Sequence, residues 1–317
     1  MAPLIVGAGL AGLIAACHFK DANIIEAGSG GAQHQALLRF RDTSVSEITG
    51  IPFKKVEVAK DVFSDGMLQG RCSIADANSY SLKVAGAITT RSISKLDAVQ
   101  RYIAPDDFYE QLVDKVGGRI NWNCPLTPCA LAGLAEGTPV INTAPMSVAL
   151  GAAGIDHGKT FDFEKSPIRV TRVKLKVATD VYQTIYFPDM DMSVFRASIT
   201  GDTLIIECLD EKPSCRPFVA WEFDELDLVC KAFGFDVDLL EMESMKDTIQ
   251  RFGKILDMPK AERQALMYEL TSAHSIFSLG RFATWRNILL DDVVKDVRTI
   301  DQLINSSAYA RRLLLKV

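Results

Sequence analysis

Cysteine chemistry is thin in this chain. The seven cysteines (Cys17, Cys72, Cys124, Cys129, Cys208, Cys215, Cys230) are scattered and form no C-x-x-C pair, and the four histidines (His18, His34, His157, His274) lie far apart. No zinc or other metal site and no disulfide-reductase dithiol is expected; free thiols in a reducing cytoplasm are. Nor is there a run of the roughly 20 apolar residues that a membrane span needs. The apolar start lacks the basic region of a signal peptide and contains glycines at fixed spacing, so it reads as a first core strand. Positive charge is not in excess: the net charge is −5, which offers no overall basic footprint for nucleic acid or an anionic membrane, although a local patch stays open. Repeats, low-complexity tracts and linkers are absent. What remains is a cytoplasmic, soluble globular chain of 317 residues, long enough for one large domain or two interleaved ones.

The start is the most informative stretch. Pro3-Leu-Ile-Val runs into Gly7-Ala-Gly9-Leu-Ala-Gly12, and an Ala/Leu-rich helical pattern follows. Each glycine has its own task in a dinucleotide-binding turn. Gly7 permits the tight exit from the strand, Gly9 lets backbone approach a pyrophosphate, and Gly12 lets helix and strand touch without a side chain between them. A second strand, Asn23-Ile-Ile, ends in Glu26, nineteen residues after Gly7, where a carboxylate accepts from a ribose hydroxyl. A bare glycine triplet arises in unrelated loops, but this one stands between a strand and a helix with an acid at the right distance.

Further along, Gly30-Gly31 follows Glu26 closely. Its backbone amides form an anion nest, and Arg39 is within reach of the same phosphates, with a solvated arginine as the alternative. Residues 51–100 read as a β-rich insert, with strands at Phe53–Lys60 and Tyr80–Val84. Pro105–Val116 has helical spacing ended by Gly117-Gly118, and strand resumes at Arg119–Asn123 and Thr138–Pro145. Residues 165–210 form an antiparallel meander with a hairpin at Gly201-Asp202. From about Phe223 to Ala273 the pattern is helical, with Leu239, Leu240, Met242, Met245, Ile249, Phe252 and Leu256 as an apolar stripe and Pro259 opening a second helix. The tail, Ile276 to Val293, is a short strand, a Gly280-Arg281 turn and a helix.

Taken together, Gly7/Gly9/Gly12 with Glu26 and Gly30-Gly31, then Val140-Ile-Asn-Thr143-Ala144-Pro145, then Leu279-Gly280-Arg281-Phe-Ala-Thr-Trp285 followed by Asp291-Asp292, resemble the motifs of the flavin-dependent superfamily of amine oxidases, protoporphyrinogen oxidase and UDP-galactopyranose mutase. The likeness covers both ends and part of the middle; it does not extend over 51–100 or 156–270. The resemblance implies an α/β fold: a Rossmann-type FAD-binding domain (1–50, 101–155 and 272–317) with an interleaved substrate domain of antiparallel sheet plus helices (51–100 and 156–271). It implies FAD, held noncovalently because no cysteine sits in an attachment motif. It places Leu126 against the adenine, Thr143 and Ala144 under the flavin, Gly280, Arg281 and Trp285 in the C-terminal motif at the pyrophosphate, and Asp291 or Asp292 at the ribityl hydroxyls.

Only one dinucleotide fingerprint is present, so a reductase with a stable nicotinamide site is disfavoured. The expectation is an oxidase or dehydrogenase acting on a small amine or amino-acid-like group, with oxygen as final acceptor. Over the flavin, Arg196 is a candidate anchor for a carboxylate or phosphate, Tyr186 a candidate cavity wall along with Tyr182 and Phe195, and His34 a candidate at the flavin edge. Each has a bland alternative as sheet core or solvated side chain. Two other readings stay open. One is a flavoenzyme of compact phage type acting on an aminoacyl-modified base in DNA, with Lys54-Lys55, Lys174 and Lys176 as a contact strip. The other is a mutase-like or structural flavoprotein. Oligomeric state is not readable.

Overall fold

The glycine pattern at the start folds as its spacing demands. In the computed structural model, which describes residues 2–30, 37–156, 165–209, 223–255 and 258–306, β1 (Leu4–Val6) passes through Gly7–Gly9 into α1 (Leu10–His18), and β2 (Asn23–Ile25) returns parallel to β1. The chain then leaves this layer for β3 (Arg39–Phe40), α2 (Ser44–Thr49), β4 (Lys54–Ser64), β5 (Met67–Leu68), α3 (Ile74–Ala85) and β6 (Val99–Ile103). It returns through α4 (Phe108–Val116), β7 (Ile120–Asn121), α5 (Pro128–Ala132), β8 (Val140–Asn142) and α6 (Met146–Ala153). A second excursion adds β9 (Lys165–Leu175), β10 (Val181–Tyr186), β11 (Val194–Gly201), β12 (Thr203–Leu209), α7 (Phe223–Ala232) and β13 (Leu240–Ile255). The return is α8 (Lys260–His274), β14 (Ile276–Ser278), α9 (Arg281–Thr284) and α10 (Leu290–Ile304).

Two sheets result. The first is parallel, in the order β14-β8-β1-β2-β7. Chain order reverses direction between β1 and β8, and such a switch point opens a crevice at the carboxyl ends of the strands. The second sheet runs β13-β9-β12-β11-β10-β4-β6-β3, with β5 on β4. Its pairings are antiparallel except for β4 with β10. One face buries Leu175, Ile185, Phe187, Ile199, Leu204 and Ile206 against Leu226 and Val229 of α7. The opposite, inner face combines Ile168, Val170, Tyr186 and Ile205 with Tyr80 of α3 and Ile93. Fold class is therefore as expected: α/β, a parallel Rossmann-type layer interleaved with an antiparallel one. No helix among the described residues is long and apolar enough to cross a membrane.

Two elements differ from the sequence reading. Tyr80–Val84, read as a strand from its alternation, lies inside α3. The caps decide it: Ser73 and Asp76 form a reciprocal capping box and Gly86 closes the helix at φ +66°. Alternation over five residues cannot outweigh both. The stripe from Leu240 to Ile255, read as helix, is the strand β13 on β9. Its pairing is broken by irregularities between Glu241 and Lys246 and between Gln250 and Lys254. Inserted residues stretch a two-residue period towards three or four, which is how bulged strand imitates helix.

Lys83 of α3 ties the helix to the sheet. It is 8% exposed, and its Nζ donates to the carbonyls of Phe187 (2.9 Å), Asp189 (2.6 Å) and Val194 (2.8 Å), using all three protons. Burial pushes its pKa down to about 8, against the opposing pull of Asp189 and Glu225. Lys83→Met is expected to cost roughly 2–3 kcal/mol, because it strands buried acceptors. Urea unfolding checks this: the midpoint should fall with an unchanged slope, and an unmoved midpoint would refute the clamp.

Candidate cofactor and substrate site

The switch point is lined by backbone held in a narrow conformation. Gly7 has φ +99°, open to glycine and strained for other residues. A Cβ on Gly12 would stand 1.9 Å from the Gly7 carbonyl oxygen, so helix and loop touch backbone to backbone. A Cβ on Gly9 or Gly30 would meet nothing within 4 Å. Those two glycines face open space, the opposite of Gly12. The carbonyl of Val6 accepts from both the amide (2.9 Å) and the hydroxyl (2.7 Å) of Thr143, which locks the end of β1 to the end of β8. The buried Asn142 side chain braces the same turn through the amide and carbonyl of Ala144.

Between Gly7 and Gly9, the Ala8 unit is pinned from two sides. Its N–H donates to Glu26 Oε2 at 2.7 Å, and its carbonyl accepts from the Tyr109 hydroxyl at 3.0 Å. Glu26 Oε1 takes the Gly28 N–H at 2.8 Å. Each Glu26 oxygen keeps a lone pair for a ribose hydroxyl. Burial and the nearby Glu26 raise the pKa of Tyr109, keeping it a donor.

The C-terminal motif reaches the same place. The Leu279 amide donates to the Asn142 carbonyl (2.8 Å). Gly280, at φ +87°, lies so close to the first turn of α1 that its Cβ would be 3.0 Å from that of Ala11. Beside it Ser278 Oγ is buried with no hydrogen-bond partner among the described residues. Arg281 bonds Asn287 Oδ1 at 3.0 Å. Trp285 is 1% exposed, packed in the core with Leu266 and Leu270 of α8; the structure gives it a packing role. Leu126 is buried in that core beside Val6 and Ile25. Asp291 and Asp292 are engaged by Arg41: its amide and Nε donate to Asp291 (3.1 and 3.2 Å) and its Nη2 to Asp292 (2.7 Å). Asp292 also caps α10 through the Leu289 amide, and its carboxyl is held below the usual range: burial raises it, but this bond and Arg41 outweigh that.

Arg39 requires a correction. Expected at the phosphates, its guanidinium instead lies across β10 and β11, donating to Thr184 Oγ1 (2.6 Å), Gln183 O (3.2 Å), Ile199 O (2.7 Å) and Thr200 Oγ1 (2.7 Å). Strand β3 joins the second sheet, so its outward side chain follows that sheet. Arg196 and Tyr186 are cross-strand partners on the inner face, and Arg196 faces Glu207 on the next strand. Glu207 takes Arg196 in a two-pronged ion pair through Nε and Nη2, the latter at 2.7 Å. Burial lowers the Arg196 pKa, Glu207 more than restores it, and the net shift is upward. Tyr186 hydrogen-bonds Ser92 (3.0 Å) and stacks edge-on with Tyr80, while Tyr182 points away to Asp180. Gly31 and His34 lie outside the described residues. Three of the four lysines of the strip have partners: Lys54 pairs with Asp180, Lys174 with Asp202, and Lys176 bonds the Asp238 carbonyl.

The sequence reading therefore brings Gly7, Gly9, Gly12, Glu26, Thr143, Ala144 and Gly280 together at one crevice, and Tyr186 with Arg196 on another surface. It missed Tyr109, whose role needs a helix about a hundred residues from the loop it braces. It also passed over Asn142 and Glu207; a polar residue within an otherwise apolar strand was the available signal for both.

No protein-family model and no curated protein matches the chain. Solved structures do. A reduced UDP-galactopyranose mutase has 14% identity over 99% of this chain and 96% of its own, with a TM-score of 0.67. A fatty acid isomerase from P. acnes has 12% identity over 96% and 99%, TM-score 0.58. A putrescine oxidase bound to putrescine has 13% identity over 96% and 98%, TM-score 0.56. These likenesses are of fold, and the fold is that of the superfamily which the glycine and C-terminal motifs resemble.

The contrast between two glycines is testable without any ligand. Gly12→Ala is expected to lower stability by about 3 kcal/mol or more, since backbone must move. Gly9→Ala is expected to stay within about 1 kcal/mol of the parent, because the site is open and its φ of −75° suits alanine. Chemical denaturation of both variants reads the difference; equal losses would refute the close approach.

Proposed function

We propose that the protein is a FAD-dependent oxidoreductase of amine oxidase type, acting on a small amine or amino-acid-like group. The observation that supports this most is the seating of Gly280 on Ala11. It brings the C-terminal motif to the N-terminal glycine loop, at the switch point of a parallel sheet. The fold likeness to a putrescine oxidase agrees with this reading, and the likeness to a mutase agrees with the cofactor. When bound, FAD supplies a two-electron acceptor for a carbon–nitrogen bond, with oxygen as the final acceptor.

The chain's own residues fit that cofactor. Gly9 and Gly30 leave room for phosphate beside backbone amides, and the N-terminus of α1 favours its charge. Glu26 holds the ribose, preset by Ala8 and Gly28. Tyr109 and Thr143 keep the loop in its binding shape before any ligand arrives. Ser278 offers a hydroxyl without a competing partner. Of the two acids expected at the ribityl hydroxyls, Asp292 is 29% exposed, while Asp291 is 1% exposed and held by Arg41. No cysteine stands in an attachment motif, so the flavin is noncovalent. The inner face of the second sheet, with Tyr186 and Arg196, is the substrate side.

A base-tailoring role on modified DNA finds less support, because Lys54, Lys174 and Lys176 already have acidic or carbonyl partners. A mutase-like or structural use of FAD is separated by reactivity.

Refolding the purified protein with FAD should give a yellow complex, and acid precipitation should release its flavin into solution. Gly9→Ala should weaken FAD binding at least tenfold while the fold is kept. A colourless wild type after refolding would sink the proposal. Anaerobic titration with amines and amino acids should then bleach the flavin band; a flavin reduced by dithionite but by no candidate would favour the mutase-like or structural reading.

A further inference from the structure

On the inner face of the second sheet one arginine makes no ion pair among the described residues. Arg196 lies close enough to Arg39 to disfavour its charge, and Glu207, which favours it, is bonded to Arg196. Glu207 is committed to Arg196 through both oxygens. Every acceptor that Arg39 meets is neutral: two threonine hydroxyls and two backbone carbonyls. Its Nε is buried and has no partner among the described residues. A third arginine, Arg172, stands on the same face of β9, where burial lowers its pKa against the pull of Asp106.

We propose that this face is a docking site for an anionic group of the substrate, a carboxylate or a phosphate monoester, received by Arg39 beside the Arg196–Glu207 pair. Arg39 is half-buried, and a partly desolvated guanidinium held only by neutral acceptors favours an anion brought to it. Burial, reinforced by Arg196 and opposed by Tyr186 and Glu207, pushes the Arg39 pKa down to about 10. A planar fork with a donor to spare suits an oxyanion better than a lysine would. The site is reachable, since Arg39 is half-buried and the Arg196 side chain beside it is 31% exposed.

Position ties the site to the cofactor crevice. Arg39 and Arg41 are two residues apart, one on β3 and one just past its end, about 7 Å at strand rise. Arg41 holds Asp291 at the start of α10. The anion is therefore received two residues along the chain from the arginine that holds the acids expected at the flavin. A simple diamine would meet like charge here. The inference deepens the oxidoreductase reading, and rests on it only in assigning the anion to the substrate: the compound oxidised bears an acid group near its amine.

The test uses the full chain at constant ionic strength, with thermal unfolding followed as sodium acetate, sodium phosphate or sodium chloride is added. Acetate, phosphate or both should raise Tm along a saturating curve beyond chloride, and the stronger arm identifies the acid. Phosphate also stabilises proteins without saturation, so saturation is the criterion. Arg39→Gln should shift the half-saturating concentration at least tenfold upward; Arg39→Lys should shift it less. If Arg39→Gln does not fold, Arg39→Lys decides, since unchanged half-saturation there overturns the proposal. No saturating response in the wild type, or the same response in Arg39→Gln, also overturns it. Flavin absorbance is recorded in parallel. Anion binding by a protein that takes up no FAD would sink the oxidoreductase reading and leave the site standing. FAD uptake without an anion response would do the reverse.

Discussion

The contact between the Gly7 carbonyl and Gly12 is the constraint on which the rest of the structure depends. It sets how closely α1 lies on β1, and so where the open amides of the loop point. Because α1 sits that close, its first turn becomes a surface on which Gly280 can rest, and β14 can take its place beside β8. Thr143 then ties β8 to β1 across the switch point. A side chain at position 12 would disturb these relations together. The loop is also held from outside, by Glu26 and Tyr109 on either side of Ala8, so its shape does not await a ligand. Preorganisation of this kind lowers the ordering cost of binding.

The two layers are joined by very little chain. Strand β3 and the residue after it place one arginine on each: Arg39 on β10 and β11, Arg41 on the start of α10. Phe40 between them points into the first core, against Phe53 and Phe108. Alternation along β3 thus parts the charge of Arg39 from the ring of Phe40. The acids at Asp291 and Asp292 answer one of the two arginines and leave the other.

Legibility varied with the range of the cause. The glycine loop, its strand and helix, and the acid at Glu26 were readable because each depends on neighbours within one βαβ unit. The meander was readable from alternation and its hairpin glycine. Strand β13 was not, since its bulges erase the period from which strands are recognised. Helix α3 was misread for the converse reason: a short accidental alternation outweighed capping residues that were in plain view. Arg39 was assigned to the phosphates from its distance along the chain, but its strand pairs with β6, and that pairing decides where it points.

By itself, the sequence determined that a dinucleotide loop opens the chain, that a parallel α/β layer is interrupted by a β-rich one, and that the two ends share a motif pair. Those follow from local rules of backbone freedom and side-chain periodicity. Only the tertiary structure decided that Gly280 lands on Ala11, that Tyr109 braces Ala8, and that Arg196 is neutralised while Arg39 is not. Each depends on which strands become neighbours across more than a hundred residues or which charges meet in low dielectric. Neither leaves a mark in local spacing.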